Sequence, residues 1–170
     1  MRGHINLNEY IIREIKIAES AILKDMLYEA IFQPDETNLV AKEIINEPEL
    51  KIYYNNWGQK DDMCLIAEMD GEIVGAAWTR ILDGLPKGFG TIDNKTPELS
   101  ISIYKNYRNK GIGMELMKKM LNLLSERGYS QVSLSVQKDN YASQMYLKLG
   151  FEILEESSEE YLMVHYLNNI

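Results

Sequence analysis

The chain has 170 residues, 45% of them apolar, and a single cysteine, Cys64. That length buries enough surface to hold a core without staples, and one cysteine excludes an internal disulfide framework or a cysteine-based zinc cluster; a reducing, cytoplasmic setting fits best. With 18 basic against 26 acidic residues the net charge is −8, which repels a nucleic-acid backbone over most of the surface, and no apolar run reaches the ~20 residues of a membrane span.

The segment Met1 to Asn6 is not followed by the apolar stretch of a signal peptide. Tyr10 to Ile17 reads as a first strand. Glu19 and Ser20 then open a helix whose apolar residues Ile22, Leu23, Met26, Leu27, Ala30 and Ile31 recur every three or four positions, as a buried stripe requires. Pro34 to Thr37 break that pattern and restart a second helical stretch through Leu39, Val40, Ile44 and Ile45. Pro48 begins a short helical turn with Leu50, Tyr53, Tyr54 and Trp57.

From Met63 the period becomes that of strands. Met63 to Met69 and Ile73 to Ile81 flank Asp70-Gly71, a strong signal for a two-residue hairpin. A loop from Leu82 to Pro97 leads to a strand over Glu98 to Tyr104. A helix from Ile112 to Arg127 carries Leu116, Met117, Met120, Leu121 and Leu124 on one face, with Gly128 at the position a C-cap favours. Val132 to Val136 form a fifth strand. Asp139 or Asn140 caps a helix to Leu149, and Phe151 to Leu154 pair with Tyr161 to Leu167 around a turn. This order predicts a mixed α/β sheet, and the absence of repeats and linkers predicts a single domain over 1–170.

The informative stretch is strand, then Tyr107-Arg108-Asn109-Lys110-Gly111-Ile112-Gly113, then helix. A strand feeding a glycine-rich turn into a helix N-terminus presents unpaired backbone N–H groups and the positive end of the helix dipole. Such a turn cradles phosphate. Arg108 and Lys110 add charge, and Lys105, Lys118 and Lys119 gather nearby. A bare Gly-x-Gly proves little. There is no third glycine of the dinucleotide fingerprint, where Leu116 stands, and no Gly-Lys-Ser/Thr of a P-loop. A plain strand-to-helix turn is the alternative.

The sequence resembles the GNAT superfamily of acyl-CoA-dependent N-acyltransferases. Arg108-Asn109-Lys110-Gly111-Ile112-Gly113 is similar to the family's Arg/Gln-x-x-Gly-x-Gly/Ala signature. Asn140, Ala142 and Tyr146-Leu147-Lys148-Leu149-Gly150-Phe151 resemble its second block, in the right order and separated by a helix and a strand. The resemblance implies a mostly antiparallel central sheet of about seven strands flanked by about four helices. It implies acetyl-CoA as cosubstrate, with no metal. The pyrophosphate of coenzyme A would meet Arg108, Asn109, Lys110, Gly111, Ile112, Gly113 and Met114, the pantetheine arm the backbone of Ile101, Ser102 and Ile103, and Asn140 would face the cofactor while capping its helix. The family often has glycine where Asn109 stands and proline where Lys105 stands; asparagine tolerates the left-handed region, so the turn stays feasible.

The reaction implied is direct acetyl transfer to a primary amine of a small molecule or peptide. An amine with pKa ~10 arrives protonated, so a base must act before nitrogen attacks. The family's leaving-group acid falls on Tyr146. Some members carry a glutamate on the fifth strand where Ser135 stands here, so Glu98, on the Ser100 and Ser102 face of its strand, is the better base, with a water chain as the alternative. Two rival readings are a longer acyl donor and a CoA-binding sensor without turnover.

The first helices, the loop 82–97 and the final hairpin would frame the acceptor. Asp35, Glu36, Asp83, Asp93, Glu155, Glu156, Glu159 and Glu160 lie there and would favour a cationic amine, or else simply form a solvated acidic surface. Tyr53, Tyr54 and Trp57 line a pocket or pack as core. His4 and His165 fit no metal-ligand spacing, Cys64 reads as inert core, and a homodimer is compatible with the chain.

Overall fold

In the computed structural model, which describes residues 9–167, the first strand β1 is shorter than its apolar pattern suggests, running Ile11–Glu14. The chain is turned away beyond it because Arg13 holds Glu19 through two hydrogen bonds of 2.8 and 2.7 Å and Glu68 through one of 3.0 Å. Helix α1 (Ile22–Ala30) follows and buries Leu23, Met26 and Leu27, the expected i, i+3, i+4 stripe.

The second helical stretch does not form as expected. Residues 35–41 are irregular, and only a 3-10 segment, Lys42–Asn46, and a four-residue helix α2 (Pro48–Lys51) remain. Side chains supply the reason. Asp35 accepts hydrogen bonds from the N–H and hydroxyl of Thr37, and Gln33 accepts one from the Val40 N–H at 2.7 Å, so local side-chain bonds displace the helical ladder.

Strands β2 (Met63–Met69) and β3 (Glu72–Arg80) meet at Asp70-Gly71, whose φ angles of 52° and 80° are those of the tight hairpin predicted. After them come β4 (Glu98–Ile103), α3 (Ile112–Glu126), β5 (Gln131–Gln137), α4 (Ala142–Lys148), β6 (Glu152–Glu156) and β7 (Glu160–Tyr166). The strands form one sheet in the order β1-β2-β3-β4-β5-β7-β6, antiparallel at every junction except β4 with β5. This is the mixed, mostly antiparallel seven-stranded sheet with four helices that the sequence led us to expect.

Both faces of the central strands are covered, so β2 is an apolar run rather than an alternation. Met63, Leu65 and Ala67 face one core, built with Leu116, Met117, Met120 and Leu124 of α3 and with Tyr146 of α4. Cys64 and Ile66 face the other, built with Leu23, Met26 and Leu27 of α1 and with Ala76 and Trp78 of β3. Cys64 is thus core, and burial pushes its thiol pKa up, as an inert role requires. The indole N–H of fully buried Trp78 donates to the Tyr53 carbonyl at 3.0 Å. Arg80, also buried, grips Asp62 at 2.9 Å and the carbonyls of Ile52 and Asn55 at 2.9 and 2.6 Å. Together they fasten the segment after α2 to the sheet.

One junction departs from regular pairing. β4 and β5 are in register only at Glu98 and Ser133 and then diverge. Gly90 fills the apex: its N–H donates to Glu98 Oε1 at 3.0 Å and its carbonyl accepts from Ser133 Oγ at 2.6 Å. A Cβ at Gly90 would lie 2.8 Å from the Leu134 carbonyl carbon and 2.9 Å from the Ser135 nitrogen. Those are backbone atoms that cannot yield cheaply. Gly90→Ala is therefore expected to destabilise the protein by about 1–3 kcal/mol, with the thermal midpoint falling by about 2–4 °C for each kcal/mol. An unchanged midpoint in calorimetry would show that the apex is not tightly packed.

Candidate active site

Where β4 and β5 part, a cleft of about 1170 Å³ opens. It is walled by the end of α1, Tyr53, Phe89, all of β4 from Glu98 to Ile103, the start of α3, Leu134 to Gln137 of β5, α4 and Glu160. The gap joins the two faces of the sheet, because its walls come from both cores.

The glycine turn lies at one end. Asn109 sits at φ 61° and Gly111 at φ 84°, so the left-handed conformation falls on an asparagine and a glycine, the residue types that accept it. The first hydrogen bond of α3 runs from the Glu115 N–H to the Gly111 carbonyl at 3.2 Å. The N–H groups of Ile112, Gly113 and Met114 have no acceptor among the described residues, no side chain caps the helix, and no atom lies within 4 Å of where a Gly111 Cβ would stand. Oriented donors at an open helix N-terminus suit a phosphate group.

The basic side chains near this turn are arranged differently from the expectation. Arg108 folds back, donating to the Ile103 carbonyl at 2.8 Å and facing Glu29 at 3.4 Å. Lys105 pairs with Glu36 at 2.6 Å, and Lys110 lies outside the cleft wall with its ammonium 5.7 Å from the Tyr107 ring centre. Ser102 turns its hydroxyl away, to the Met26 carbonyl at 2.7 Å, so that side chain is not offered to the cleft. Ile101 and Ile103 pack toward the start of α3. Asn140 borders the cleft and its Oδ1 accepts from the Ala142 N–H at 2.9 Å, so capping and a place at the cleft coexist.

Tyr146 projects from α4 into the cleft wall. It is 7% exposed, its ring packs against Phe151 at 5.8 Å, and its hydroxyl has no hydrogen-bond partner among the described residues. Burial pushes its pKa up, so the phenol keeps its proton.

Glu98 is on the Ser100 and Ser102 face, as alternation predicts, but it is 4% exposed rather than a solvated strand end. Its Oε2 accepts from the Tyr53 hydroxyl at 2.6 Å and its Oε1 from the Gly90 N–H. Desolvation dominates these favourable contacts and pushes the carboxyl up to about 7. The Tyr53 hydroxyl in turn accepts from the Phe89 N–H at 2.8 Å, and the two rings stack at 6.3 Å.

Sequence reasoning weighed Tyr53 only as one of three aromatic candidates and did not connect it with Glu98, 45 positions away. The glycines of the loop 82–97 were the available signal, since Gly88 and Gly90 both pack directly on Glu98. Of the eight acidic residues expected around the acceptor, Glu36 and Glu160 border the cleft. Asp35 and Asp93 close their own turns and Glu156 pairs with Lys138. Glu160 lies 3.4 Å from Ser135 Oγ, so a carboxylate borders the cleft beside Ser135, but from β7. Among the described residues no group of His, Cys, Asp and Glu could hold a metal ion, and no helix is long and apolar enough to cross a membrane. His165 packs on Phe151, and His4 lies outside the described residues.

A helix N-terminus open to phosphate, a parted pair of strands, a buried phenol and a buried carboxyl thus meet at one cleft. The chain belongs to the acetyltransferase (GNAT) family, whose family model matches residues 25–151. It is 32% identical over 102 residues to mycothiol acetyltransferase of Saccharomonospora viridis, covering 59% of this chain and 33% of that one. It is 27% identical over 164 residues to human N-alpha-acetyltransferase 30, covering 93% and 41%. The chain thus spans less than half the length of either curated relative. The crystal structure of PaiA N-acetyltransferase from Thermoplasma acidophilum in complex with coenzyme A shares its fold, with a TM-score of 0.66 at 18% identity over 93% of this chain and 99% of that one.

The Glu98 environment has a thermodynamic signature. Its folded pKa, about 7, is above the ordinary 4.5, so the native state binds more protons than the unfolded state between those values, and stability falls as pH rises through that window. Denaturant titrations from pH 4 to 8 are expected to show the wild type losing up to about 3 kcal/mol relative to Glu98→Gln as pH rises. Parallel curves would show that Glu98 is not desolvated as described.

Proposed function

We propose that the protein is an acetyl-CoA-dependent N-acetyltransferase, a single domain that transfers the acetyl group directly to a primary amine of a small molecule or peptide in the cytoplasm. The observation that carries this reading is that Tyr146 and Glu98 belong to opposite faces of the sheet yet border one cleft, through the gap between β4 and β5. Family membership and the relatives' names, one a mycothiol acetyltransferase and one an N-alpha-acetyltransferase, support the reaction class.

The residues fit the cosubstrate. Free N–H groups at Ile112, Gly113 and Met114 suit its pyrophosphate, and the edge of β4 that β5 leaves beyond Glu98 suits the amide groups of its arm, with the Ile103 carbonyl held by Arg108. Arg108, Asn109, Lys110, Gly111 and Asn140 complete the assignment, with Lys110 acting through charge alone. When bound, acetyl-CoA supplies the activated acyl carbon. Glu98 is ionised above about pH 7 and takes a proton from the acceptor ammonium. The freed nitrogen lone pair attacks the thioester carbonyl, and the carbon–sulfur bond breaks. Tyr146, whose hydroxyl is otherwise unengaged, donates its proton to the departing sulfur, and the second N–H proton, shed by the acylated nitrogen, restores the phenol. Glu160, whose carboxylate borders the cleft beside Ser135, supports a cationic acceptor.

Purified protein mixed with acetyl-CoA and a panel of polyamines, aminoglycosides, amino acids and peptides is expected to release free thiol. Binding of coenzyme A without thiol release across the panel would instead identify a sensor. Because the Tyr146 hydroxyl has no partner to lose, Tyr146→Phe should keep its fold and coenzyme A affinity while slowing thiol release by roughly 10²-fold; an unchanged rate would remove it from the acid role. Gly111→Asp places a carboxylate in the cradle and is expected to weaken coenzyme A binding in calorimetry by about tenfold or more, equivalent to about 1.4 kcal/mol. Retained affinity would refute the cradle assignment.

A further inference from the structure

Glu98 lines the cleft, but its carboxylate oxygens are engaged by neighbours. At 4% exposure its Oε1 is covered by the Gly90 N–H and by Gly88, where a Cβ would stand 2.1 Å from that oxygen, and its Oε2 is covered by the Tyr53 hydroxyl at 2.6 Å. Tyr53 lines the same cleft and donates its hydroxyl to the carboxylate. A phenol oxygen has one proton and two lone pairs. Here the proton points to Glu98 and one lone pair accepts from the Phe89 N–H at 2.8 Å, which leaves one acceptor position on the oxygen.

Resting on the acetyl-transfer reading above, we propose that Tyr53 is a catalytic residue, a proton relay through which the acceptor ammonium reaches Glu98. The step balances without any co-reactant. An N–H bond of the ammonium breaks and its proton goes to the Tyr53 oxygen, while the Tyr53 O–H bond breaks and that proton goes to Glu98 Oε2. The nitrogen keeps its electron pair for the acyl carbon, Tyr53 ends as a neutral phenol, and Glu98 ends as a carboxylic acid. The return path after product release is the same hydroxyl.

The surroundings decide between a relay and a phenolate base. Burial first, and then the charges of Glu98 and Glu160, push the Tyr53 pKa far up, so a free phenolate is not formed and the two transfers occur together. The hydroxyl is also held from both sides, the backbone by Trp78 through the Tyr53 carbonyl and the ring by Phe89. A group that moves two protons at once needs this fixed geometry.

The test compares wild type, Tyr53→Phe and protein carrying fluorotyrosine of lowered phenol pKa at position 53, each assayed for thiol release from acetyl-CoA with the best amine of the panel. Tyr53→Phe is expected to lower kcat by roughly 10²-fold with coenzyme A affinity retained. Its residual pH–rate profile should have the ascending limb moved above pH 7, because the lost hydrogen bond favoured the ionised carboxylate. Wild-type rates in H2O–D2O mixtures should fit two protons in flight. A Tyr53→Phe variant with kcat within about twofold of wild type would overturn the relay alone, leaving acetyl transfer in place. Wild type without thiol release for any amine would overturn both readings. Where Tyr53→Phe loses coenzyme A affinity through misfolding, the fluorotyrosine protein decides: a kcat that changes with phenol acidity supports the relay, and a kcat that does not overturns it.

Discussion

Everything in the cleft depends on the failure of β4 and β5 to stay paired. Two parallel strands that meet at Glu98 and Ser133 and then separate leave backbone N–H and C=O groups of both strands facing a gap, a costly state unless water or a ligand completes them. Gly90 makes the separation permanent by occupying the apex with backbone alone, bonded to Glu98 on one strand and Ser133 on the other. A larger residue could not enter, and without the wedge the strands would be free to zip. The fold keeps an opening at its centre through a loop packed at a single point.

The same opening explains how opposite chemistry is kept apart. Tyr146 belongs to the core on the α3 side and Tyr53 with Glu98 to the α1 side. Each group is desolvated by its own core, and burial acts on both in the same direction, against the charged form. For Tyr146 this keeps a proton in place, whereas for Glu98 it brings a carboxylate into the range where it can both take and return one. One physical effect applied to two different groups keeps one protonated and lets the other titrate near neutrality.

Local signals in the sequence were reliable where local physics decides. Asp70-Gly71 turned as its φ requirements dictate, the stripe of α3 was buried residue for residue, and Asn109 took the left-handed conformation that glycine often holds in related turns. The stretch after Pro34 was misread because its apolar spacing looked helical while Gln33 and Asp35 bound their own backbone. Glu98 was placed on the correct face and singled out as a carboxylate, but its burial was not legible. Its burial comes from Tyr53, Gly88 and Gly90, all distant in sequence. The alternation of Ser133 and Ser135 with apolar neighbours announces a strand but says nothing about where its partner leaves it. Acidic loop residues likewise revealed charge without revealing that Asp35 and Asp93 were committed to their own turns.

Arg80 anchors the segment that carries Tyr53 through main-chain carbonyls, those of Ile52, Asn55 and Asn56, together with the Asp62 carboxylate. None of those carbonyls depends on which side chain its residue bears. Side chains of this segment other than Tyr53 can therefore be exchanged during divergence while the frame beneath them stays fixed. The lining of the cleft here can drift without loosening the fold, and selection is free to act on the two separately.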